Sequence, residues 1–173
     1  TVAAGGGSIC QFVDGRMTVG PASAGASPGP ACYGHGGPLT VTDVNLLLGR
    51  LPESKFPFRL DRAAANQRLA DIANLMGEPW KDSLPKLAEG FLDIAVTHMA
   101  EAVRTVSTAE GSDVRKMTLV GFGGAAGGHL CRVAQQLGMT RILDHPHAGL
   151  MSALGMGLAS IGTTITRGIY QTI

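Results

Sequence analysis

A chain of 173 residues with 45% hydrophobic and 16% charged side chains and a formal net charge of +1 can bury a core and is not disordered. Near-neutrality without a basic stripe argues against a nucleic-acid partner. Three cysteines, Cys10, Cys32 and Cys131, are odd in number and far apart, so they form no disulfide framework and indicate a reducing, cytoplasmic setting.

The chain opens without an initiator Met and almost at once on "AAGGGSI", residues 3–9, as expected of a piece of a longer protein. Gly5, Gly6, Gly7 and Ser8 form a candidate phosphate or substrate loop; a tight turn is the bland alternative. Residues 8–19 hold two short apolar runs around Asp14-Gly15, a hairpin signal. Residues 20–40, rich in Pro and Gly, read as an ordered, packed loop around Tyr33, and Cys32 within it is a conceivable nucleophile. In "TVTDVNLLLGRL", Thr42 or Asp43 is the expected N-cap of a helix stopped by Gly49; Asp43 is also a candidate at the substrate.

Residues 61–76 carry Ala65, Leu69, Ile72 and Met76 at helical spacing, and "GEPWKDS" breaks the pattern. A longer helix is expected over 84–108. Leu87, Phe91, Ile94, Ala95, Ala102 and Val106 share its apolar face, with His98 on or near that face as a core residue. From Val114 the pattern becomes β–α–β–α: strands at 116–121 and 140–144, helices at 126–138 and 149–161. That order predicts an α/β fold with a parallel pair. The uncharged run 145–166 is too rich in Gly, Ser, Thr and His for a membrane span and reads as a buried helix with small residues for close packing. One domain is expected, with glycine loops and a hairpin in 1–50, helices in 51–113 and a nucleotide-loop segment in 114–173.

"GFGGAAGGHL", residues 121–130, joins the first of these strands to a helix. As a dinucleotide fingerprint, Gly121, Gly123 and Ala126 fit G-x-G-x-x-A, with Asp144 placed to meet a ribose hydroxyl. As another nucleotide loop, bare amides at a helix N-terminus attract phosphate and ribose oxygens. As packing, the glycines merely let helix approach sheet. It is not a Walker loop, because Lys-Ser/Thr is missing. His129, with the pair His145 and His147, lies in loops at the carboxyl ends of the strands. The three are candidate metal ligands, set against a role in capping helices and holding loops.

"TVAAGGGSI", "VGPASAGASPGPACYGHGGPLTVTDVNLLLGRL", "GFGGAAGGHLCRVAQQLGM" and "HPHAGLMSALGMGLA" together resemble the hydantoinase A / 5-oxoprolinase family across nearly the whole chain. The wording is closest to the ATP-dependent 5-oxoprolinase branch. The resemblance implies an actin/Hsp70-like, RNase H-type ATPase fold in which a glycine pair after a late strand binds the adenosine side of ATP. Gly123-Gly124 match that pair, and Ala125, Ala126, Gly127 and Gly128 continue the loop. This displaces the dinucleotide reading; a dinucleotide-binding oxidoreductase domain and a non-catalytic interaction domain remain the competing classes.

The family's two Asp-x-Gly-Gly-Thr loops for Mg²⁺ and phosphates are expected upstream of Thr1. The implied activity is ATP-driven opening of a cyclic amide, 5-oxoproline or a hydantoin, through phosphorylation of the ring carbonyl. The implied cofactors are ATP and Mg²⁺. The implied partners are a hydantoinase B-like subunit or region and further copies of the protein in an oligomer.

Overall fold

Asp14 and Gly15 both stand at positive φ, 50° and 73°, the geometry of the tight turn that matches the twist of a hairpin. The computed structural model, which describes residues 5–168, places that turn between β1 (Ser8–Val13) and β2 (Arg16–Ser23). The strands pair antiparallel with Val13 opposite Arg16 and Cys10 opposite Val19. Cys10 and Val19 are the buried pair, so one face of the hairpin turns to the core. Ala3 and Ala4 of the first glycine motif lie outside the described residues.

The Pro/Gly-rich loop is ordered by a short turn at Ala31–Tyr33 and leads into α1 (Val41–Leu47). Its N-cap is Thr40, not Thr42 or Asp43. Asp43 is the third helical residue, and its carboxylate reaches back to the Thr40 amide in a reciprocal capping box. This is the T-x-x-D pattern, in which two otherwise unpaired donors are satisfied at once. Gly49 follows in the left-handed region at φ 69°, as a helix stop requires. Then come α2 (Arg62–Met76), capped by Asp61, and α3 (Leu84–Ala109).

α3 is the central pillar. Leu87, Phe91, Leu92 and Ala95 on it are fully buried, packed with Val41, Val44, Leu69 and Val133 in the main core. Its polar edge clamps the neighbours at one-turn intervals. Arg50 pairs with Glu89 at 2.9 Å, Arg132 with Asp93, and Gln136 donates to Thr97 at 3.1 Å. His98 is half-buried beside this edge. Val106 departs from the expected core face: it is 60% exposed, while Val103 and Ser107 carry the covered face of the last turns of α3. A second cluster, Cys32, Leu46, Leu60 and Ala65, sits beneath Tyr33, Phe56 and Phe58, whose rings meet edge to face.

The C-terminal part is β–α–β–α, as the periodicity predicts. β3 (Thr118–Gly121) and β4 (Arg141–Asp144) pair in parallel, Thr118 opposite Arg141 and Gly121 opposite Asp144. Between them runs α4 (Leu130–Leu137). The expected start at residue 126 is a 3-10 turn, Ala126–Gly128, since glycine costs about 1 kcal/mol per residue in an α-helix. α5 (Met151–Leu158) is shorter than expected and, contrary to the reading of a buried helix, it is exposed. Leu154 is 49% accessible, Met156 79% and Leu158 77%. Its small residues permit close packing, but no layer of the described residues lies over it. No helix among the described residues is long and apolar enough to cross a membrane.

Candidate functional site

The two glycine loops come from opposite ends of the chain and meet. A Cβ on Gly6 would stand 2.8 Å from the Thr42 hydroxyl and 3.4 Å from the Ala125 methyl. The first loop is held by α1: the Thr42 amide and hydroxyl both donate to the Gly6 carbonyl, at 2.8 and 2.9 Å. The Gly7 carbonyl accepts from Ala24. Gly5 and residues 121–126 then line one cavity of about 490 Å³. Ser8 is buried in β1 and is not among its lining residues.

The glycines of the second loop divide by what surrounds them. At Gly121 a Cβ would strike the Leu130 side chain, at 2.6 Å from Cδ2 and 2.8 Å from Cγ. This glycine lets α4 approach β3. Gly123 has φ 97°, a conformation that costs L-residues, and its amide donates to the Ala148 carbonyl at 2.8 Å. Gly124 and Gly128 have open space where a side chain would stand. The amides of Gly124 and Ala125 donate to no other described residue. Gly127 would meet the Asp144 carboxylate at 3.3 Å, so that acid lies across the turn. The packing and the ligand readings of the motif are thus both present, on different residues. Gly121→Ala is expected to destabilise the fold by about 1–3 kcal/mol through overpacking, because Leu130 is itself buried. Thermal melting checks this; the double variant with Leu130→Ala should recover part of the loss, and an unchanged midpoint would refute the packing role.

Asp43 does not face the cavity. It is fully buried, and its carboxylate collects four donors. Oδ2 accepts from the Ala31 amide at 3.1 Å, the Thr40 amide at 2.7 Å and the Thr40 hydroxyl at 2.8 Å; Oδ1 accepts from the Cys32 amide at 2.7 Å. Its work is to close the loop of residues 31–40 onto α1. Cys32 is correspondingly no nucleophile. Its side chain is wholly buried, and burial, then the Asp43 carboxylate, push the thiol far above its ordinary value, so the reactive thiolate is suppressed.

The three histidines are not gathered into a metal set. Among the described residues no group of three or more His, Cys, Asp or Glu side chains could hold a metal. His147 is exposed and its amide donates to His145 Nδ1 at 3.0 Å, a local loop contact. His129, 4% exposed, precedes α4 and lines the cavity. Burial, followed by the guanidinium groups of Arg132 and Arg50, hold its imidazole below the usual histidine value. The remaining side chains around the cavity are apolar. Sequence reasoning placed His129 near a ligand but with the wrong company; the mixture of one histidine with apolar walls is visible only in the fold.

Known proteins resemble this chain in sequence and in fold. A 5-oxoprolinase of Pestalotiopsis fici is 44% identical over 171 residues, which is 93% of this chain and 13% of that protein. The 5-oxoprolinase of Saccharomyces cerevisiae is 40% identical over 171 residues, with the same 93% and 13% coverage. Among solved structures, the ATP-dependent caprolactamase from Pseudomonas jessenii superposes with a TM-score of 0.77 at 41% identity, over 87% of this chain and 22% of that one. A nucleotide-free acetone carboxylase, at 23% identity and a TM-score of 0.76 over 87% of this chain and 22% of that one, shares the fold. The chain therefore spans only a small part, about 13%, of the curated relatives it matches first. The family profile described as hydantoinase/oxoprolinase matches residues 1–165, and the chain belongs to that family.

Proposed function

We propose that this chain is part of an ATP-dependent hydrolase of cyclic amides, acting on 5-oxoproline or a hydantoin-type ring, and that it supplies the nucleoside side of the ATP site. The observation that carries the reading is that the two glycine loops meet, Gly6 against Ala125, and that Gly5 and residues 121–126 line one cavity. On this reading the fold is the nucleotide-binding part of an actin/Hsp70-like ATPase. The three free cysteines accord with a cytoplasmic protein.

The residues present fit a nucleoside. Gly124 and Gly128 leave room for a ligand at the backbone, and Val120 and Phe122 offer exposed apolar surface beside them. They do not fit Mg²⁺, since the described residues hold no metal-ligand cluster; no step through the metal belongs to this chain. Bound ATP supplies the phosphoryl group that activates the unreactive ring carbonyl toward water. The part of residues 123–128 is positional: the unpaired amides of Gly124 and Ala125 and the absent side chains let the backbone close on the nucleotide and keep it oriented. The remaining phosphate and metal ligands come from residues outside this chain, and the ring-opening chemistry draws on a hydantoinase B-like region or subunit within an oligomer.

ADP release from the full-length protein tests the reading. It should depend on added 5-oxoproline or hydantoin and should match the amount of ring opened. Ring opening that proceeds without ATP, or tight binding of a nicotinamide dinucleotide in place of ATP, would refute it. The dinucleotide reading is not favoured, because the named relatives are 5-oxoprolinases and a caprolactamase.

A further inference from the structure

Two buried polar atoms in the described residues lack a partner on the same helix end: His129 Nδ1 and Arg132 Nη1. Positions three apart at a helix start are neighbours, and the two groups are complementary. A guanidinium only donates and is always protonated. Neither group is the other's hydrogen-bond partner, so His129 keeps an unpaired ring nitrogen beside the cavity it lines. Arg132 is fixed by Asp93 on α3, which keeps a cation near the ring. Burial and the two guanidinium groups, Arg132 and Arg50, act in the same sense by disfavouring a second proton.

The cavity wall gives the neutral imidazole a use. Met99, Val103, Leu119, Val120, Phe122 and Leu130 line the cavity, and no Lys or Arg does. A groove with no cation in its lining and with only the amides of Gly124 and Ala125 free along its backbone suits a polyphosphate poorly. It suits a flat, uncharged, aromatic ligand group whose edge carries one acceptor. Resting on the nucleotide reading above, we propose that His129 orients the nucleoside in this groove, its neutral imidazole donating a hydrogen bond to a base or ribose acceptor. His129 is a positioning and selectivity residue for the nucleoside, and neither a metal ligand nor an acid–base group.

Calorimetry on the full-length protein tests this with ATP, adenosine and inorganic tripolyphosphate as separate probes. His129→Ala should weaken ATP and adenosine alike by about tenfold, the scale of one lost hydrogen bond, and leave tripolyphosphate unchanged. In turnover, KM for ATP should rise while kcat at saturating ATP stays the same. Because removing the ring could disturb Arg132, His129→Gln and His129→Phe form a second pair. Both fill the space, but only glutamine keeps a donor, so glutamine should bind adenosine several-fold better than phenylalanine. Equal adenosine affinity in this pair, or a loss confined to tripolyphosphate, would overturn the assignment. A wild-type protein that binds no ATP would instead remove the nucleotide reading on which it rests, and the proposal with it.

Discussion

Asp43→Ala should be the most damaging single change in the chain, although Asp43 touches no ligand. The substitution leaves the amides of Ala31, Cys32 and Thr40 and the Thr40 hydroxyl without their acceptor, in a place where water has no access. Each buried donor left unpaired costs about 1–3 kcal/mol, and loss of the capping box adds about 1 kcal/mol. The sum, about 5 kcal/mol or more, is a large share of the 5–15 kcal/mol by which domains are stable. A fall of about 10 °C in the melting midpoint is expected. Thr40→Val removes one hydroxyl and should cost only about 1 kcal/mol. Equal, small effects of the two substitutions would show that the carboxylate is not what holds the loop. Asp43→Ala should also leave nucleotide affinity untouched in whatever fraction remains folded, and that outcome separates a structural acid from a substrate ligand.

Gly124→Val should give the opposite pattern. A Cβ at Gly124 meets nothing within 4 Å, and this glycine is not among those at positive φ, so the fold has no reason to object. A ligand resting on the backbone does: the branched side chain occupies the approach and screens the free amides of Gly124 and Ala125. Affinity for ATP in the full-length protein should fall by about 3 kcal/mol, more than a hundredfold, with the melting midpoint unchanged. Calorimetry and thermal melting on the same preparation decide it. Unaltered ATP affinity together with a large drop in midpoint would return Gly124 to a packing role, the one that Gly121 fills. Gly123→Val is not a clean control, because φ 97° would strain the valine backbone in either state.

Local chemistry predicts local structure well in this chain. The hairpin at Asp14-Gly15, the long apolar face of α3 and the β–α–β order around residues 118–144 all follow from periodicity and turn residues. The N-cap of α1 was also legible, since Thr40 and Asp43 stand three apart in the capping-box pattern, but the nearer threonine draws the eye. What the sequence conceals is long-range partnership. Asp43 takes two of its donors from residues 31 and 32, and nothing in its neighbourhood announces them. His129, His145 and His147 are close in sequence, yet only His145 and His147 meet, with ring centroids 5.6 Å apart, and His129 joins no metal-ligand group with them. Burial of α5 was inferred from small residues, which permit contact without supplying a partner. The meeting of the two glycine loops is a product of the whole fold and could only be anticipated as a possibility from their composition.

The cavity has one firm wall and one thin one. α3 and α4 are clamped together by Arg132–Asp93 and Gln136–Thr97. By contrast β3 and β4 pair with no third strand among the described residues, with Val120 45% and Leu143 52% exposed. Pairs of strands this short have little stability of their own, and such segments open locally at a small fraction of the global unfolding free energy. The glycine loop hangs between the two walls. A ligand gripping both would therefore be linked to local opening of the sheet. Part of its binding free energy would go into suppressing fluctuations of residues 118–124, and the measured affinity would register the mobility of the strand as well as the contacts of the loop.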